Sequence, residues 1–198
     1  MNIFYLIRHG QKVAEAGDPG LTEIGKEQAG KTAEFLKDKN ISKIYSSTYK
    51  RTKETSEIID TILKIGITFD DRLRERMNWG SIPNQNLEEF LKEWEYSNLH
   101  RDFKPKAGHS SLQSGKDAFN VISEISTSLS DSNIVIITHG GVICDLLRNL
   151  FLDNELRKLK PDFPEKLDKL IKECSITTLI KDNDKYSLKE IGAVDYLV

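Results

Sequence analysis

Two stretches of this chain are apolar enough to form strands buried on both faces, and both stop at a histidine followed by glycine. Ile3-Phe4-Tyr5-Leu6-Ile7 runs into Arg8-His9-Gly10, and Asn133-Ile134-Val135-Ile136-Ile137 runs into Thr138-His139-Gly140-Gly141. Apolar runs without polar alternation predict parallel strands covered by helices on both sides. Parallel strands place their carboxyl ends on one edge, where ligands bind in open α/β sheets. His9 and His139 can therefore meet although they lie far apart in the sequence. Packing gives no reason to end a strand in a charge, an imidazole and a glycine, so these ends are the candidate site.

The remaining pattern agrees with an α/β chain. Gln11 to Gly20 is a loop closed by Asp18-Pro19-Gly20, and Thr22 is placed to cap a helix reaching about Lys39. Ile41 to Tyr45 reads as a strand ending at Ser46-Ser47. A helix follows from about Tyr49 to Leu63, burying Ile58, Ile59 and Ile62, and Ile65 to Phe69 is a third short strand. Asp71 to Gly80 is a loop and Leu87 to Leu99 a helix with Phe90, Leu91 and Trp94 on one side. Lys104 to Ser114 is a loop, and helices are expected over about Lys116–Leu129, Val142–Leu152 and Lys158–Glu173. Ser175–Ile180 and Tyr186–Ile191 pair as a hairpin around Asp182-Asn183-Asp184. The expected architecture is a three-layer α/β/α sandwich: a mostly parallel central sheet with helices on both faces, one domain over 1–198, and a small lid or cap insertion at about 71–115.

Composition narrows the partners. With 38% hydrophobic and 30% charged residues and a net charge of -2, the chain reads as an ordinary globular protein with no basic surplus for nucleic acid. The apolar runs are too short or too interrupted for a signal peptide or a membrane span, so a cytoplasmic protein without membrane partners is expected. Its two cysteines, Cys144 and Cys174, fit neither a disulfide framework nor a metal-ligand spacing. Neither a metal site nor a cofactor is expected.

The chemistry must then come from the strand ends. Arginine offers a planar fork of donors suited to phosphate, and a histidine near neutrality can act as nucleophile or base. The helix after Gly140-Gly141 adds the positive end of its dipole. Arg51 begins the helix after the next strand and falls on the same edge. Two arginines, two histidines and a helix start form a phosphate pocket that needs no metal. Gln11, Thr22 and Gly140 are candidate substrate contacts, and turn and cap roles account for Gln11 and Thr22 equally well. His100 and His109 are expected in exposed loops, and Trp79 and Trp94 in core or cap packing.

In order along the chain, Arg8-His9-Gly10, Leu21-Thr22-Glu23-x-Gly25, Ser46-Ser47 with Arg51 and Thr52, Leu73-x-Glu75, and Thr138-His139-Gly140-Gly141 resemble the histidine phosphatase superfamily, the phosphoglycerate mutase-like fold. The resemblance implies that His9 accepts the phosphoryl group as a phosphohistidine. Arg8, Arg51 and His139 would hold the phosphoryl oxygens, and Glu75 would give a proton to the leaving oxygen and then take one from water. Where the family often has Gly-Glu-Ser, this chain has Gly108-His109-Ser110.

Mutases of the family usually carry a longer loop after Arg-His-Gly, with basic residues; here Gln11 to Gly20 is short and holds only Lys12. A mutase must keep water from its phosphohistidine, whereas a phosphatase must admit it. The reading favoured is therefore a metal-independent phosphatase of phosphate monoesters. The alternatives are a phosphoglycerate mutase-type phosphotransferase, a protein phosphohistidine phosphatase, and a non-catalytic member binding phospho-ligands or proteins. The expected partner is a small phosphorylated molecule or a phosphoprotein. Arg72, Arg74, Arg76, Lys92, His100 and Arg101 are placed to receive a second anionic group.

Overall fold

A computed structural model describes residues 1–163 and 170–198. Its strands are β1 (Asn2–Arg8), β2 (Ile41–Ser46), β3 (Ile67–Phe69), β4 (Asn133–Thr138), β5 (Ile176–Asp182) and β6 (Lys185–Ala193). They form one six-stranded sheet in the order β3-β2-β4-β1-β5-β6. The β1–β4, β2–β4 and β2–β3 pairs are parallel, whereas β5 runs antiparallel to both β1 and β6. The helices are α1 (Glu23–Leu36), α2 (Lys50–Leu63), α3 (Leu87–Leu99), α4 (Ser111–Ser128), α5 (Gly140–Leu150) and α6 (Asp153–Leu159).

The two apolar strands sit in the middle of the sheet because both of their faces are covered. Phe4, Leu6, Ile134 and Ile136 point to one side, into a core with Val121 and Ile122 of α4 and Ile143 and Leu147 of α5. Ile7, Val135 and Ile137 point to the other, against Ala33 and Leu36 of α1 and Ile59 of α2. Successive strand residues alternate faces, so an unbroken apolar run is what a two-sided core requires. The α/β/α layering read from the sequence is the observed one. Among the described residues no helix is long and apolar enough to cross a membrane.

Several boundaries differ from the sequence reading. α1 ends at Leu36, and Asn40 turns the chain with a positive φ of 50°. α2 buries Arg51, Thr52, Thr55, Ser56 and Ile59, with Ile58 and Ile62 only partly covered, because its first turns face the site rather than the core. α4 begins at Ser111, ahead of the expected Lys116, for two reasons. Ser110 caps it by accepting from Gln113 N at 3.2 Å, and Gly115 lies so close to α5 that a Cβ there would be 2.4 Å from the Asp145 carbonyl. The helix expected over 158–173 is not continuous: α6 ends at Leu159 and residues 161–163 form a turn. Its centre, 164–169, lies outside the described residues.

Candidate active site

Sheet register builds the site. Arg8 stands opposite Thr138 across the β1–β4 ladder, so His9 and His139 emerge side by side at the carboxyl edge. Their ring centroids are 5.2 Å apart, edge to face, and His9 N donates to the Thr138 carbonyl at 3.0 Å. Both side chains are buried.

Two contacts fix the protonation of His9. Its Nδ1 lies 2.7 Å from the Gly10 carbonyl, which only accepts, so Nδ1 carries the hydrogen. Arg51 Nε, which only donates, approaches Nε2 at 3.2 Å. Nε2 therefore presents its lone pair. Burial, and then the charges of Arg51 and Arg8, hold this imidazole well below the usual histidine range, so it stays neutral into acid solution. His139 is held down in the same way, by burial first and then by Arg51. Its Nε2 lies 2.9 Å from Ser47 Oγ, while its buried Nδ1 has no partner among the described residues.

The cations are held from behind. Arg51 is 3% exposed, lies over the Tyr49 ring, and donates from Nη2 to Asn78 Oδ1 at 3.3 Å. Its Nη1 is 3.6 Å from Asp18 Oδ1, beyond hydrogen-bond reach, and makes no hydrogen bond among the described residues. Arg8 donates from Nη1 to the Ile171 carbonyl at 2.7 Å and pairs through Nη2 with Glu173 at 2.7 Å. Opposite them, Glu75 accepts from Gly141 N at 3.1 Å and from Arg76 N at 3.2 Å. Burial raises its pKa above the usual carboxylate value, against the opposing charge of Arg76. A Cβ on Gly141 would fall 2.3 Å from Glu75 Oε1, so glycine is what lets the carboxyl reach the start of α5.

Arg8, His9, Arg51, Glu75 and Gly140 line one cleft of about 300 Å³. His139 stands behind His9, off the wall. Gln11 and Thr22 do not line the cleft. The Thr22 hydroxyl donates to Gln11 Oε1 at 2.8 Å and accepts from Gly25 N at 3.0 Å, the turn and cap roles. Gly10 admits the close approach of α1: a Cβ there would be 2.4 Å from the Gly25 carbonyl.

The group of cations expected to receive a second anion is engaged within the protein. Arg76 is 1% exposed; its Nη1 pairs with Asp145 Oδ2 at 2.8 Å, its Nε donates to Ser97 Oγ, and its Nη2 bonds Asn98. Arg72 is held by Asp70 and Glu124, Arg74 by Asp71 and Lys92 by Glu88. Arg101 donates to the Arg148 and Asp145 carbonyls, and His100 lies against the Tyr96 ring. Trp79 and Trp94, expected as packing residues, both line the cleft. Ser47 and Asn78 are the contacts that sequence reasoning did not assign, because their partners come from distant segments. Among the described residues no group of histidine, cysteine and carboxylate side chains is placed to hold a metal ion.

A buried neutral imidazole with an unprotonated Nε2, two guanidinium groups, a helix start and a carboxyl of raised pKa form an arrangement suited to a phosphoryl group. Residues 4–193 match the histidine phosphatase superfamily (branch 1). A probable phosphoglycerate mutase of Escherichia coli is 36% identical over 98 residues, 46% of this chain and 45% of that protein, so the match spans under half of that relative's length. Among solved structures, the phosphoserine phosphatase of Entamoeba histolytica, in complex with 3-phosphoglyceric acid, superposes with a TM-score of 0.74 at 22% identity over 100% of both chains. The mycobacterial glucosyl-3-phosphoglycerate phosphatase does so with a TM-score of 0.76 at 23% identity, covering 97% of this chain and 99% of that one. At those identities the likeness is one of fold.

Proposed function

The chain belongs to the histidine phosphatase superfamily, and from that premise we propose that it is a metal-independent phosphatase hydrolysing small phosphate monoesters through a phosphohistidine on His9. The observation that carries this reading is the pair of contacts on His9, which leaves Nε2 with its lone pair beside the Arg51 guanidinium. Nε2 attacks phosphorus, the N–P bond forms, and the P–O bond to the leaving group breaks in line. Glu75, protonated, gives its proton to the leaving oxygen. Water then attacks the phosphohistidine, the N–P bond breaks, and Glu75 takes the water's proton.

Arg8 and Arg51 stabilise charge spread over the phosphoryl oxygens, the term that dominates such transfers. Arg51 Nη1 and His139 Nδ1 are buried without a hydrogen-bond partner among the described residues, and phosphoryl oxygen or a bound water would satisfy them. The segment from about 71 to 115 serves in this reading as a partial cap. It leaves Leu87 and Leu91 nearly half exposed at the cleft, which admits water and favours hydrolysis over transfer. With phosphoglycerate in EDTA, phosphate release should exceed interconversion of positional isomers. Isomerisation in excess of release, or strict Mg²⁺ dependence, would overturn the reading.

The pH profile follows from the two shifts. His9 must be neutral, and its lowered pKa moves the acid limb well below the ordinary histidine range. Glu75 must be protonated, and its raised pKa lets activity persist above the ordinary carboxylate range before falling as pH climbs. Glu75→Gln should remove that alkaline limb and lower kcat/KM for an alkyl phosphate by about 10²–10⁴-fold. The loss should be far smaller for p-nitrophenyl phosphate, whose leaving group departs as an anion. An unchanged profile in the variant would remove Glu75 from the role.

A further inference from the structure

Among the described residues no core covers the apolar side of α3. Leu87, Phe90, Leu91 and Trp94 recur at helical spacing, yet the helix buries only Ser97, and Leu87 and Leu91 remain 46% and 45% exposed. All four line the cleft that holds Arg8, His9 and Arg51. Trp94 is fixed in place: the Arg76 guanidinium lies 4.0 Å from its ring centroid, and its ring edge would be 2.8 Å from a Cβ on Gly141. An immobilised aromatic face thus stands beside Gly141 and Glu75, where the leaving group of a monoester would lie.

The charged residues of the same wall point the other way from a second anion. Arg8 and Arg51 serve one phosphoryl group. Arg76 is engaged by Asp145, and Lys12 sits close enough to Arg51 and Arg8 to feel both charges, at the phosphoryl end of the cleft. Glu15, which also lines the cleft, is an acid.

Resting on the phosphatase reading, we propose that the preferred substrates are phosphate monoesters of a single apolar chain or ring, without a second anionic group. The apolar part lies against Trp94, Phe90, Leu87 and Leu91. Burying a methylene against such a wall strengthens transition-state binding about threefold.

The test is a series of ethyl, butyl and hexyl phosphate, whose leaving oxygens are alike in basicity, with phosphoglycerate as the doubly anionic comparison. The expected result is that kcat/KM rises by about 10²-fold from ethyl to hexyl phosphate, with phosphoglycerate well below hexyl phosphate. Leu91→Ser, at a half-exposed position, should flatten that slope. Equal release from every ester and from phosphoglycerate would overturn the substrate class while leaving the phosphatase standing. Release from none of them would overturn both.

Discussion

His9→Ala should lose phosphate release from p-nitrophenyl phosphate by at least about a thousandfold while still binding inorganic phosphate. The Gly10 carbonyl keeps the ring hydrogen on Nδ1, which leaves Nε2 unprotonated and in contact with the Arg51 guanidinium that would hold the phosphoryl group, and among the described residues no other imidazole nitrogen is so placed. His139 stands 5.2 Å away between ring centroids, but its Nε2 is taken up with Ser47. Binding should survive because Arg8 is held by Glu173 and the Ile171 carbonyl, and Arg51 by Asn78, none of which depends on the imidazole. Retained hydrolysis in the variant would mean that phosphorus is attacked by something other than His9.

The second large effect is on stability. Asp145→Ala should destabilise the fold by about 3–5 kcal/mol, because it strands the Arg76 guanidinium in the interior without its counter-ion. The two side chains are 0% and 1% exposed and 2.8 Å apart. Ser111 Oγ donates to the other Asp145 oxygen at 2.6 Å, so the carboxylate joins the loop after β3 to the start of α4 as well as to α5. For a chain of this length the loss corresponds to a fall in Tm of roughly 6–20 °C, readable by thermal unfolding. The double replacement Arg76→Met with Asp145→Leu should recover much of it, since an apolar pair leaves no buried charge. A single Asp145→Ala variant as stable as the parent would show that the pair does not hold the fold.

That pair also marks where the sequence stopped being legible. β1 and β4 could be placed because two-sided burial leaves an unbroken apolar run, and their parallel register brings His9 to His139 once the strands are known. Arg51 followed from helix position alone. Arg76 could not be told from Arg72 and Arg74, which share its charged stretch, because only α5 and α3 make it a buried residue. One signal was available: Asp145 lies inside Val142-Ile143-Cys144-Asp145-Leu146-Leu147, and an acid in a helix buried all round requires a cation. The role of α3 was hidden for a related reason. Its apolar spacing is that of a core helix, and only the tertiary placement shows that the stripe faces a cleft. Gly10 likewise has the sequence look of a ligand contact, while its neighbour is the backbone of Gly25.

The central claim, that phosphorus passes through His9 before reaching water, is tested most directly by the stereochemistry of hydrolysis of a phosphorothioate monoester made chiral at phosphorus with one heavy oxygen isotope, in water carrying a second, so that the thiophosphate released is itself chiral. Two successive in-line displacements, first by Nε2 and then by water, give overall retention of configuration. Retention is the result expected here; inversion would mean that water attacks the substrate directly and would contradict the phosphohistidine route.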